Sequence, residues 1–142
     1  MNWRILVALN SEPLAVHAAD VGMTLAHSLK ADLAFVYVIG EPSEIGADGG
    51  LSADEVIRMA KQEGKDLIAA IRQRDPKLSS VEFLPVGRAA SEIVKAAREW
   101  PASLIVIGSH GRRGIKRAVL GSVAEAVMRH APCPVMVVKA EE

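Results

Sequence analysis

The chain has a single cysteine, Cys133. An intramolecular disulfide is therefore excluded, and a reducing compartment fits. It has no excess of charge, with 17 basic against 17 acidic residues. A dedicated nucleic-acid binder normally carries a basic surplus, so that class is disfavoured. The same neutrality lowers electrostatic solubility and is compatible with self-association. Aromatic residues make up 4% of the chain and are not interleaved with a basic patch, which argues again against single-stranded nucleic acid. No apolar run approaches the ~20 residues of a membrane-spanning helix. The start, Met1-Asn2-Trp3-Arg4-Ile5, lacks the basic and apolar segments of a signal peptide. The expectation is a soluble cytoplasmic protein with no membrane and no nucleic-acid partner. Two phosphate signatures are missing as well. There is no Gly-x4-Gly-Lys-Ser/Thr string, and no Gly-x-Gly-x-x-Gly follows the first apolar run. No group of histidines, cysteines and carboxylates has zinc-ligand spacing: His17 and His27 lie ten apart, and His130 stands alone.

Half of the residues are hydrophobic, enough for one core in a chain of 142 residues. They fall into five short runs: Ile5–Leu9, Leu33–Ile39, Val81–Val86, Leu104–Ile107 and Val135–Val138. The runs are rich in Val, Ile and Leu and mostly unbroken. That pattern suits strands buried on both faces of a parallel sheet. Helical patterns lie between them. Leu14, Ala18, Val21, Leu25 and Leu29 form one stripe, with Ser11 as N-cap and Pro13 in the first turn. A second helix starts at Ser52, where Ser52-Ala53-Asp54-Glu55 has the capping-box form. Val56, Met59, Ala60, Leu67 and Ile71 continue it toward Asp75-Pro76, where proline disfavours helix. A third runs from about Ala90 to Trp100, and a fourth from Ser122 to the residues before Pro132. Strict β-α alternation predicts one domain over residues 1–142: an α/β, doubly wound, Rossmann-like parallel sheet with right-handed crossovers. The stretch from Gly40 to Leu51 reads as a mobile surface loop.

The chemistry concentrates near the C-terminus. Gly108-Ser109-His110-Gly111 follows the fourth strand, and nine residues later Gly121-Ser122 opens a helix. Backbone N–H groups converge at such a turn, and the helix dipole favours negative charge there. In a doubly wound sheet, ligands bind beyond the carboxyl ends of the strands. Ala8-Leu9-Asn10 and Val38 then join the glycine motif in one crevice. Between the glycines, Arg112, Arg113, Lys116 and Arg117 fit a cover over distal phosphates, a contact for an acidic partner or a solvated loop. His110 has two readings, a general base and a turn residue whose ring is merely near a ligand. Cys133 reads as a small residue leading into a strand, Trp3 and Trp100 as packing residues, and the methionines as core filler.

Gly108-x2-Gly111-x9-Gly121-Ser122 resembles the nucleotide-binding motif of the universal stress protein family, in its ATP-binding branch. The similarity covers nearly the whole chain. It includes Ile5-Leu6-Val7-Ala8-Leu9, Leu84-Pro85-Val86-Gly87 with Glu92-Ile93-Val94, and Pro132-Cys133-Pro134-Val135-Met136-Val137-Val138. The resemblance implies a five-stranded sheet of order 3-2-1-4-5. It implies ATP, ADP or AMP, with or without Mg2+, across the ends of strands one and four. Adenine and ribose would lie near Ala8, Leu9, Asn10 and Val38. Phosphates would lie near Gly108, His110, Gly111, Gly121, Ser122 and Val123, and Ile107 and Arg112 also count among the nucleotide-binding residues. It also implies a homodimer through the last strands, with Val135, Met136, Val137 and Val138 at the interface. The family commonly has Asp where this chain has Asn10, which keeps an acceptor oxygen, adds donors and drops the charge. The expected role is a dimeric stress-response or signalling module. A slow ATPase and a nucleotide-independent interaction protein are the alternatives; no catalytic residue and no metal site are assigned.

Overall fold

The computed structural model describes residues 2–41, 50–109 and 120–140. Nine elements alternate among the described residues. They are β1 (Arg4–Leu9), α1 (Leu14–Leu29), β2 (Asp32–Tyr37), α2 (Ala53–Arg72), β3 (Val81–Phe83), α3 (Ala89–Glu99), β4 (Leu104–Gly108), α4 (Ser122–His130) and β5 (Val135–Val138). The strands form one parallel sheet in the order β3-β2-β1-β4-β5. This is the α/β topology expected from the alternation and from the family resemblance.

The unbroken apolar runs are explained by burial on both faces. Ile5, Val7 and Leu9 point with Phe35 and Val106 into a core covered by α1 and α2. Leu6 and Ala8 point with Val36, Ile105 and Ile107 into a second core covered by α3 and α4. Each fully buried Val, Leu or Ile side chain contributes about 1.5–3 kcal/mol, so the central strands dominate stability.

Local structure departs from the expectations at several points. The buried face of α1 is made of Ala15, Ala18, Ala19, Gly22, Met23 and Ala26, so of the expected stripe only Ala18 is fully buried. The cause is close approach. A Cβ on Gly22 would overlap Val7 Cγ2, so that contact admits only glycine. Leu14, Val21 and Leu25 flank that contact, and Leu29 is left exposed. Ser11 does not cap α1. Pro13 holds the cap position with no side-chain hydrogen bond. By contrast, Ser52 caps α2 by accepting the Glu55 N–H at 3.1 Å, and its hydroxyl donates to Glu55 Oε1. That helix ends at Arg72, and turns carry the chain through Asp75. β3 stops at Phe83 because Pro85 has no N–H to offer a ladder. Pairing resumes only at an isolated Ile39–Val86 bridge, so β2 itself ends at Tyr37.

Of the described methionines, Met23 is core, whereas Met59, Met128 and Met136 are exposed on solvent-facing helix positions and the β5 edge. Trp3 precedes β1 and is also exposed. Trp100 does pack: it meets the Phe83 ring edge-on at 6.4 Å, and the Arg4 guanidinium stacks over it at 5.4 Å. Pro42–Gly49, the centre of the expected mobile loop, lies outside the described residues. Among the described residues, no helix is long and apolar enough to cross a membrane.

Candidate functional site

The winding of the sheet changes direction between β1 and β4. From β1 the chain moves outward through β2 to β3, then α3 carries it back to β4 on the other side of β1. The loops after β1 and β4 therefore diverge, and a crevice opens between them. It has a volume of about 600 Å3, inside the range of about 300–1,000 Å3 usual for small-ligand sites.

The expected residues that are described all line this cleft. Ala8, Leu9 and Asn10 come from the end of β1, and Val38 follows β2. Ile107 and Gly108 end β4, and Gly121, Ser122 and Val123 begin α4. His110, Gly111 and Arg112, together with Arg113, Lys116 and Arg117, lie outside the described residues.

The lining is graded across the sheet. Toward β2 it is apolar, with Val38 joined by Ala89 and Ile93 from α3. Toward β4 it is polar backbone. Gly121 is the N-cap of α4 with extended geometry (φ −67°, ψ 155°) and makes no side-chain cap bond. Its own N–H goes to the Ser109 carbonyl, and its carbonyl accepts from Glu125. The next amides, of Ser122, Val123 and Ala124, belong to the first helical turn and have no carbonyl within α4 to bond. They face the cleft at the positive end of the helix dipole.

Gly108 closes β4 without a positive φ. A Cβ there would come within 3.1 Å of Leu14, so the glycine lets α1 close over the strand end. The neighbouring Ser109 is buried, and its hydroxyl has no hydrogen-bond partner among the described residues.

Asn10 also acts locally. Its Oδ1 accepts the Glu12 N–H at 2.9 Å, a side-chain turn that carries the chain from β1 into α1. That turn brings Ser11 and Glu12 to the cleft wall, beside Leu14 and Ala15. Sequence reasoning missed Glu12, although an acidic residue three positions past the strand end was a usable signal. Ala89 and Ile93 were missed because nothing local distinguishes them from ordinary helix residues. His27 bonds Asp75 at 2.8 Å, joining the ends of α1 and α2. Among the described residues, no group of His, Cys, Asp and Glu could hold a metal ion. Cys133 is partly buried, and desolvation pushes its thiol pKa up despite a backbone hydrogen bond with Ile105.

Comparison with known proteins places this cleft in a family. The universal stress protein MJ0531 of Methanocaldococcus jannaschii is 30% identical over 139 residues, 96% of this chain and 81% of that protein. The solved structure of the protein MJ0577 superposes with a TM-score of 0.84 at 25% identity, covering 100% of this chain and 99% of that one. A universal stress protein from Archaeoglobus fulgidus, solved in complex with dAMP, matches with a TM-score of 0.69 at 27% identity, covering 96% of this chain and 98% of that one. The profile of the universal stress protein family matches residues 1–139, and the chain belongs to that family.

Proposed function

We propose that this protein is an adenine-nucleotide-binding module, with ATP as the ligand of the β1–β4 cleft. The observation that carries the reading is the uncapped start of α4, facing a cleft of about 600 Å3 with an apolar far end. Phosphates suit the amides of Ser122 and Val123, which have no helical carbonyl to bond, because anion and dipole attract there. The adenine ring suits the apolar wall of Ala8, Val38, Ala89 and Ile93. Ribose then spans the centre, over Asn10, Leu9, Ile107 and Gly108. His110, Gly111 and Arg112 complete the phosphate side in this reading, and Mg2+ would travel with the phosphates. The related Archaeoglobus protein, solved with dAMP, supports an adenine nucleotide as the ligand class.

The reading is of a cytoplasmic binding module rather than an enzyme. Glu12 is the only carboxylate on the described cleft wall, and it leads into α1. The α4 amides belong to the opposite face of the sheet. An ATPase would need a residue near the terminal phosphate that orients the attacking water. The module is read as a homodimer that pairs through β5, whose outer edge has no strand partner among the described residues. Isothermal titration of nucleotide-free protein with ATP, ADP and AMP tests the ligand. Saturable heat at one site per chain is expected; no heat and no thermal shift at millimolar nucleotide would sink the proposal.

A further inference from the structure

At the end of β1, the cleft wall carries three polar side chains in succession, Asn10, Ser11 and Glu12. The Asn10 oxygen is committed to the Glu12 N–H at 2.9 Å, which leaves its amide nitrogen with two donors to offer. The Glu12 carboxylate is partly buried and bonds to no other described residue. It is the only charged side chain on the described wall. This stretch of wall thus presents an amide with donors to offer beside a carboxylate acceptor, neither of them bonded by the described residues.

A vicinal diol matches that pair. Each hydroxyl both donates and accepts, so a carboxylate can take the protons while an amide supplies them. A base alone does not fit, because the apolar wall of Val38, Ala89 and Ile93 lies on the β2 side of this pair. A phosphate does not fit either, since Glu12 repels it. We propose that Glu12 reads the 2′,3′-diol of a ribonucleotide and selects ribose over deoxyribose. Asn10 holds the Glu12 backbone in place and donates to the same diol. This assignment rests on the nucleotide reading above and names the sugar that the site requires.

A site built to bond a hydroxyl rejects a ligand that lacks it, because its own polar groups are then left unpaired. The test is titration calorimetry with ATP and with 2′-deoxy-ATP, on the full chain and on the Glu12→Gln and Glu12→Ala variants. Wild-type protein should favour ATP by about tenfold or more, and both variants should reduce that ratio to within about threefold. Thermal melting without nucleotide checks that the variants are folded. Equal affinity of the wild type for the two nucleotides overturns the assignment, as does a ratio that both variants retain. Failure of wild-type protein to bind either nucleotide overturns the adenine-nucleotide reading itself and this assignment with it.

Discussion

Asn10 and Glu12 sit two residues apart, yet one shapes the loop and the other puts a charge on the cleft wall. The difference lies in partners. Asn10 Oδ1 bonds a backbone amide, whereas Glu12 bonds no described side chain. An Asp at position 10 would make the same turn, so the family's usual residue and Asn are equivalent for local folding. They differ in what they offer a ligand. Cys133 is a second residue whose behaviour follows from its surroundings. Burial raises its thiol pKa, so less thiolate exists in the folded protein than in the unfolded chain at mildly alkaline pH. A raised value also means that the thiol favours folding below its ordinary range and loses that contribution as pH rises through the shifted value. Alkylation by iodoacetamide at about pH 8 should run several-fold slower in native protein than in urea-unfolded protein, measured by mass spectrometry. Equal rates would contradict the burial argument.

At the scale of elements, capping separates the helices that stand on their own chemistry from those held by packing. α2 has a side-chain cap, Ser52, at a highly solvated end. Ser52→Ala should cost about 1 kcal/mol in urea denaturation, with an unchanged slope. α1 and α4 have no such cap. For α1, tight apposition to β1 through Gly22 replaces it. For α4, the open end is the feature on which the nucleotide proposal rests. Much of this was legible beforehand. The strand runs, the Ser52 cap and the sheet order follow from Val/Ile/Leu clustering, a local Ser-x-x-Glu box and the family resemblance. Features set by tertiary contact were not legible. Spacing picked the leucines of α1, but the distance to Val7 selected Gly22. The closeness of Leu14 to Gly108 has no local signature. Ala89 and Ile93 reach the cleft only because α3 crosses back over the sheet.

For the whole molecule, one parallel sheet with two helices on each face leaves two consequences of its winding. The first is the β5 edge. Val135 and Val137 are partly covered by the second core, while Met136 is exposed beside an open ladder. Edge strands of this kind pair readily unless charged. If β5 mediates the dimer, Met136→Lys should shift the protein from dimer to monomer in light scattering. A dimer unaffected by the substitution would move the interface elsewhere. The second consequence is the cleft at the reversal between β1 and β4, and the central claim is that the α4 amides hold nucleotide phosphate there. Ser122→Pro tests it most directly. Gly121 already has the extended geometry that a following proline requires, and proline suits the first position of a helix. The helix should therefore survive, while one amide donor and the hydroxyl disappear. ATP titration should show saturable binding to wild-type protein and affinity weaker by about tenfold or more in Ser122→Pro, with the melting temperature of nucleotide-free protein unchanged. Absence of ATP binding to wild-type protein, or equal affinity in the variant, would contradict the account.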